Sequence, residues 1–440
     1  MTSRRAFLKA STLSLTAAGS LAAQNDDPSL TIEAPKAKTV SKGNPVLKIA
    51  LVGSGGRGRG AAVQALKADP DTQLVAVCDA FPEPLESGLR IFQGIEGVAD
   101  RVDVPEERQY VGLDCCERML AEVDVDVVLL CSPPFFRPSQ YEACIEAGKH
   151  VFAEKPVATD VVGIKQVMET SRKAAEKGLS VVSGLCWRYE TGLNETVDKI
   201  REGLIGKPTS AFSVRYSGLV GRVYDGQTKT DFEHQLRNWY FYTWLSGDFI
   251  VEQFVHDLDM VAYAIDEYPT SCIATGGRET RPDDQGNIFD HFSALFTFDS
   301  GLTYQATTRH MNGTAGQYYN RIVGSGGQAD LMRYKLTDLD GKRLFHRRKP
   351  ITVMHQLEHD AMYAALRKGE RIDNSEYMTK STLMGILARE SAYTGKILTM
   401  EELLASDLSL QPAEIAWDAE VPPPTVATPG VTTLDRGQTA

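Results

Sequence analysis

Seven cysteines in 440 residues, none in a C-x-x-C pair, offer no zinc-binding or redox motif, and their odd number gives no disulfide framework. Cys78, Cys115, Cys116, Cys131, Cys144, Cys186 and Cys272 therefore read as small buried hydrophobes, and no metal site is expected. No apolar run is long enough to cross a bilayer, which excludes a membrane helix. Basic residues are outnumbered, 47 against 58 acids, and the formal charge of −11 argues against nucleic acid or an anionic membrane as the main partner. Internal repeats are also missing. What remains is the composition of a soluble globular chain, long enough for two domains with separate cores.

The chain is organised around the stretch from Val46 to Asp79. Val46 to Val52 is a short apolar, branched run of the kind buried on both faces of a parallel sheet. Gly53, Gly55 and Gly58 then supply G-x-G-x-x-G where this strand turns into a helix. In order, the three glycines permit a tight turn, close backbone approach to a pyrophosphate, and close packing of helix on strand. The helix, Ala61 to Ala68, offers its N–H groups and positive dipole end to the phosphates. A second strand, Leu74 to Cys78, ends in Asp79, about 20 residues beyond the last glycine, as a ribose-binding acid requires. The cofactor contacts expected here are Gly53, Ser54, Gly55, Gly56, Arg57, Gly58 and Asp79. A carboxylate suits the ribose 2′-OH and repels a 2′-phosphate, so NAD is favoured over NADP.

Strand and helix patterns alternate through Ser180 to Gly184, which predicts a doubly wound parallel sheet over 46–184. Asp79, Ser132-Pro133 and Glu154-Lys155-Pro156 fall at strand carboxyl ends and should converge on one crevice. Beyond Gly184 the pattern changes to strands joined by glycine turns, with a helix from Gly247 to Ala264. Residues 185–411 are expected to form an α+β domain with a mainly antiparallel sheet for substrate binding and oligomerisation.

The ends read differently. Residues 1–24, with Arg4-Arg5 before a weakly apolar run, resemble a twin-arginine export signal, which implies a periplasmic or otherwise exported protein. That route carries folded proteins, so a dinucleotide loaded before export would have to remain bound. Residues 25–45 read as a linker arm. Residues 412–440, rich in Pro and Thr, are expected to be disordered.

Ala147-Gly148-Lys149-His150-Val151-Phe152-Ala153-Glu154-Lys155-Pro156 closely resembles the A-G-K-H-V-x-x-E-K-P signature of the Gfo/Idh/MocA oxidoreductases. The likeness runs from about Val46 to Leu410. It implies a Rossmann domain, bound NAD, a sugar, sugar derivative or cyclitol as substrate, and a homodimer or homotetramer. By the same resemblance Lys155 is the active-site lysine, and Glu154, Ser132 and Pro133 are cofactor contacts. An ammonium there stabilises oxyanion character as hydride moves. A second constellation, Ser246 to Asp259, resembles the family's G-G-x-x-x-D-x-G-x-H-x-x-D, with His256 as general acid/base and Asp259 as the last acid. Glu252 stands where the family has aspartate and Phe254 where it has glycine. At i, i+4 on one helix face, Glu252 is positioned to orient the His256 imidazole. Arg188-Tyr189 resembles the family's R-[FY] pair and, with Trp239 and Asp259, is expected to contact substrate. Some relatives of this family are glycoside hydrolases that use NAD for transient oxidation and elimination, which stands as the alternative reaction.

Overall fold

The opening segment of the folded part settles the architecture, because its apolar runs make strands covered on both faces. The computed structural model describes residues 46–220, 224, 226–348, 353–421 and 423–435. The expected signal (1–24) and arm (25–45) lie outside them. In chain order the first half contains β1 (Leu47–Val52), α1 (Gly56–Ala68), β2 (Thr72–Asp79), α2 (Pro82–Gln93), β3 (Gln109–Val111) and α3 (Cys115–Glu122). There follow β4 (Val127–Leu130), α4 (Arg137–Glu146), β5 (His150–Ala153), α5 (Val161–Glu176) and β6 (Val181–Ser183). The six strands lie in the order β3-β2-β1-β4-β5-β6, every pair parallel. The order reverses between β2-β1 and β4, which is where such sheets bind ligands.

The second half opens with α6 (Thr191–Arg201), β7 (Pro208–Ser217), α7 (Asp231–Arg237), α8 (Thr243–Ser246), α9 (Phe249–Glu252) and α10 (Val255–Ile265). Strands β8 (Ser271–Gly277), β9 (His291–Thr297), β10 (Thr303–His310), β11 (Gln317–Gly324), β12 (Gly327–Asp330), β13 (Lys335–Asp338) and β14 (Arg343–His346) come next. The chain closes with α11 (Met354–Lys368), α12 (Ser375–Thr394), β15 (Leu398–Thr399) and α13 (Met400–Ala405). These strands form a nine-stranded sheet, β14-β13-β12-β11-β7-β10-β9-β8-β15, antiparallel except where β10 runs beside β7. The whole is an α/β Rossmann sheet followed by an α+β domain, as the patterning predicts. On the outer face of the large sheet Ile273, Leu295 and Phe212 stand in register and exposed, with Gln305 between the last two.

Three features depart from the sequence reading. The single helix expected from Gly247 to Ala264 is interrupted: α9 has only four residues, and α10 begins after Gln253 and Phe254. Its start is fixed by Asp248, a buried residue with φ +70°, whose carboxylate accepts from Phe249 N (2.5 Å), Phe289 N (2.9 Å) and the Tyr393 hydroxyl. A left-handed conformation at a non-glycine residue persists only where its surroundings impose it.

The second departure is that α11 does not belong to the sheet that precedes it. Met362, Tyr363 and Leu366 are buried among Leu47, Ile49, Ala61 and Leu66 of the Rossmann half, and Arg367 clamps Asp69 through two bonds of 2.7 and 2.9 Å. Residues 372–374 then run beside β6.

Third, the tail expected to be disordered is packed over residues 412–421 and 423–435. Trp417 meets Phe81 and Phe232, its carbonyl accepts from Thr230, and Gly430 N donates to Thr394 O at the end of α12. The composition supplies no core of its own, but one tryptophan and a few backbone bonds fasten the segment to a core built elsewhere.

Because Met362 is fully buried against the Rossmann strands, Met362→Ala is expected to lower the unfolding free energy by about 2–5 kcal/mol in urea denaturation. A loss under about 1 kcal/mol would mean that α11 is not docked there.

Candidate active site

A cleft of about 630 Å³ opens at the carboxyl ends of β1, β2 and β4, lined by Gly53, Gly55, Gly56, Arg57, Gly58, Asp79, Ser132 and Pro133. The glycines differ in what they face. A Cβ on Gly58 would lie 1.8 Å from Gly53 O, and one on Gly53, whose φ is +88°, 2.5 Å from Ser132 N. A Cβ on Gly55 or Gly56 would enter open space, with no neighbouring part of the protein within 4 Å. The first pair is required by the chain's own packing, whereas the second keeps backbone open to a ligand. Helix α1 begins at once, at Gly56, with Gly55 as N-cap, no side-chain cap and no acid in its first turn. Its N–H groups are thus left to an anion.

Asp79 stands on the cleft wall with Oδ2 accepting from Ser54 N (2.7 Å) and Ser54 Oγ (2.9 Å) and Oδ1 from Phe81 N (3.1 Å). Burial pushes its carboxyl above the ordinary range, against these hydrogen bonds. Ser54, expected to touch cofactor, is fully buried and instead orients Asp79. Ser132 Oγ is likewise turned to Gln140 (2.5 Å). Trp239, expected on the substrate side, lines this same cleft with Arg237 and Tyr224. Arg237 stacks on Phe81 (3.8 Å) and pairs with Glu233 (2.8 Å) and Glu83 (3.3 Å), which occupies its charge. The residues fit a dinucleotide: an uncapped helix start, open glycine backbone and an acid at the end of β2.

Arg57, which belongs to the glycine turn, points its Nε to Glu154 (2.5 Å) and Nη2 to Gln64 (2.7 Å). Glu154 is buried, so it acts on Arg57 and the Lys155 N–H (3.2 Å). Lys155 Nζ reaches across to the second domain, where it donates to Glu252 Oε1 (2.9 Å) and Glu252 O (2.5 Å). The expected pairing of Glu252 with His256 is therefore not made. The break between α9 and α10 takes the two off a common helix face, and the carboxylate goes to the lysine. Among the described residues His256 Nδ1, although buried, has no hydrogen-bond partner. Its imidazole is held well below its ordinary pKa, first by burial and then by the charge of Lys155. Lys155, Glu252 and His256 are thus brought together, with one cation paired and one imidazole neutral.

Three expected substrate contacts, Arg188, Asp259 and Tyr189, are spent on the protein itself. Arg188 grips Asp259 with bonds of 2.8 to 3.1 Å, lies between the Tyr263 and Tyr377 rings, and Asp259 also accepts from Ser381 (2.6 Å). Asp259 is 1% exposed, so the pair joins α10, α12 and the turn after β6. Tyr189 donates to Asn374 (2.8 Å). What the sequence reading missed is a second titratable cluster, Cys186, His355 and Glu358, whose ligating atoms lie within 4.8 Å of one another. Its signal was His355-Gln356-Leu357-Glu358-His359, two histidines at i, i+4 with an acid between.

These features define a nicotinamide-dinucleotide-binding oxidoreductase of two domains. The family model described as "Oxidoreductase family, NAD-binding Rossmann fold" matches residues 47–183, and "GFO/IDH/MocA C-terminal domain" matches 198–330. The two cover more than half of the chain, which belongs to the Gfo/Idh/MocA family. It is 22% identical over 292 residues, 66% of this chain and 74% of the relative, to an inositol 2-dehydrogenase/D-chiro-inositol 3-dehydrogenase of Lacticaseibacillus casei. Among solved structures, aldose-aldose oxidoreductase from Caulobacter crescentus matches with TM-score 0.62 at 19% identity, covering 80% of this chain and 99% of that one. Scyllo-inositol dehydrogenase from Lactobacillus casei, solved with NAD(H) and scyllo-inositol, matches with TM-score 0.61 at 18% identity, covering 81% and 99%.

Gly55→Ala is expected to keep the thermal midpoint of the apoprotein while NAD affinity by calorimetry falls at least about tenfold, because the methyl enters space only a ligand would fill. Gly58→Ala is expected to lower both. A Gly55→Ala protein binding NAD normally would place the pyrophosphate elsewhere.

Proposed function

We propose that the protein transfers a hydride between bound NAD and a CH–OH group of a sugar, sugar derivative or cyclitol. The observation that carries this reading is that Lys155, paired by Glu252, stands close enough to His256 for its charge to act on the imidazole, while the adjacent Glu154 is bonded by Arg57 of the glycine turn. NAD, when bound, supplies the hydride acceptor or donor. Gly55, Gly56 and the start of α1 hold its pyrophosphate and Asp79 its ribose. His256 takes the hydroxyl proton; its depressed pKa keeps it in the base form. The Lys155 ammonium, already oriented by Glu252, stabilises the oxygen as negative charge develops on it. The inositol dehydrogenase and aldose-aldose oxidoreductase relatives support this class of substrate.

Export by the twin-arginine route rests on Arg4 and Arg5 and the run that follows. In an exported enzyme the dinucleotide stays bound and a second sugar-like substrate recycles it. A homodimer or homotetramer through the outer sheet face has the exposed row of Ile273, Leu295 and Phe212 in its favour.

The test is a panel of cyclitols, aldoses and glycosides assayed at once for NADH, for carbonyl exchange between two sugars and for aglycone release. NADH or exchange supports the proposal. Aglycone release without net redox change would replace it by NAD-dependent glycoside hydrolysis. Lys155→Met is expected to lower kcat about 10²–10³-fold. Since the folded-state pKa of His256 lies well below 6.5, the imidazole stays unprotonated as pH falls through that value. The rate of alcohol oxidation is accordingly expected to show no acidic limb near pH 6.5, and a limb there would remove His256 from the role of base.

A further inference from the structure

A second constellation stands beside this site and takes no part in the reaction described. Cys186 opens the short turn after β6, and His355 and Glu358 lie on the first two turns of α11, which docks against that turn. The thiol sulfur is 4.0 Å from His355 Nε2, and Glu358 Oε1 is 3.5 Å from His355 Nδ1. One ligating atom from each of the three lies within 4.8 Å of the other two.

Burial makes this arrangement unusual. Glu358 has a fully buried side chain, yet neither carboxylate oxygen has a hydrogen-bond partner among the described residues. His359, one residue on and equally buried, stacks on Phe152 (4.2 Å) with neither ring nitrogen hydrogen-bonded. Buried polar atoms are rarely left so, and each such case calls for a missing partner. The charges point the same way. Arg57 is the guanidinium that faces both buried acids, at 2.5 Å from Glu154 and 4.0 Å from Glu358. With Glu154 taking the close contact to Arg57, the 4.0 Å spacing leaves the Glu358 carboxylate without a hydrogen-bonded cation among the described residues.

We propose that Cys186, His355 and Glu358 bind one divalent transition metal of the zinc class. A thiolate and an imidazole select zinc over magnesium or calcium, and one thiolate, one imidazole and one carboxylate give a three-ligand set that keeps a fourth position open. Bonds of about 2.3 Å to sulfur and about 2.0–2.1 Å to nitrogen and oxygen set tetrahedral ligand edges near 3.3–3.6 Å, so the widest spacing must contract by roughly 1 Å. The cluster is accessible on its His355 side, where the side chain is 32% exposed, while Cys186 and Glu358 are buried. Binding displaces the thiol proton, so affinity rises with pH.

The experiment uses the untagged full chain, stripped with chelator and titrated with Zn²⁺ by calorimetry and with Co²⁺ by absorbance. The expected result is one equivalent per chain, with a thiolate-to-cobalt charge-transfer band that Cys186→Ser abolishes. His355→Gln and Glu358→Gln are each expected to weaken Zn²⁺ at least about tenfold. His355 is partly exposed, so its variant serves if Cys186→Ser does not fold, which circular dichroism and the thermal midpoint report. Absence of a stoichiometric Zn²⁺ equivalent in the wild-type chain would overturn the proposal, as would binding indifferent to these substitutions. Neither result depends on the substrate assigned above.

Discussion

Four charges in a row hold the two halves of this protein in register: Arg57 from the glycine turn, Glu154 and Lys155 from the end of β5, and Glu252 from the end of α9. Their signs alternate. Each ion taken from water costs several kcal/mol, and such a row is tolerated only where every member is paired and hydrogen-bonded. The same condition makes it a ruler. Arg57 reaches Glu154 only if α1 starts where Gly53 and Gly58 allow, and Lys155 reaches Glu252 only if α9 stops where it does.

The position of Glu252 is itself imposed from behind. Asp248, in its left-handed conformation, ties α9 to Phe289 and Tyr393, while Arg389, fully buried in α12, donates to the carbonyls of Thr159 and Gly247. One guanidinium thus bonds a loop of the Rossmann half and the residue that precedes the active-site segment. Helix α12 is buried nearly throughout and lies under both. A scaffold of this kind leaves the site little freedom to shift, which favours catalysis by prearranged charge.

Much of this was legible in the chain, for reasons that differ by half. Strands of a parallel sheet are continuous apolar runs, and the order strand, glycine turn, helix, strand, acid admits few arrangements, so β1 through Asp79 reads directly. Helix α1 nevertheless begins five residues earlier than apolar periodicity indicates, because Gly56 to Gly60 carry little apolar signal. In the second half, local pattern and tertiary demand part company. Residues 247–264 have helical composition throughout, and only the partners of Asp248 and the packing of Phe254 break them. Arg188 and Asp259 look like cleft residues by position, yet each satisfies the other. Such pairings, like that of Cys186 with an element some 170 residues later, are set by topology and leave no mark on local sequence.

The substitution of Glu252 for the family's aspartate now acquires a physical sense. From the last residue of α9 the longer side chain reaches Lys155 Nζ, and the backbone carbonyl of the same residue accepts from that ammonium as well, so both bonds come from one point. Glu252 thus supplies the counter-ion to the Lys155 charge. That charge, together with burial, is what keeps His256 from protonating. Had the carboxylate gone to the imidazole instead, it would have favoured imidazolium and left two neighbouring cations in competition. Directing it to the lysine keeps the carboxylate away from the imidazole, which is the division that the proposed hydride transfer requires of a group that receives negative charge on oxygen and one that receives the proton.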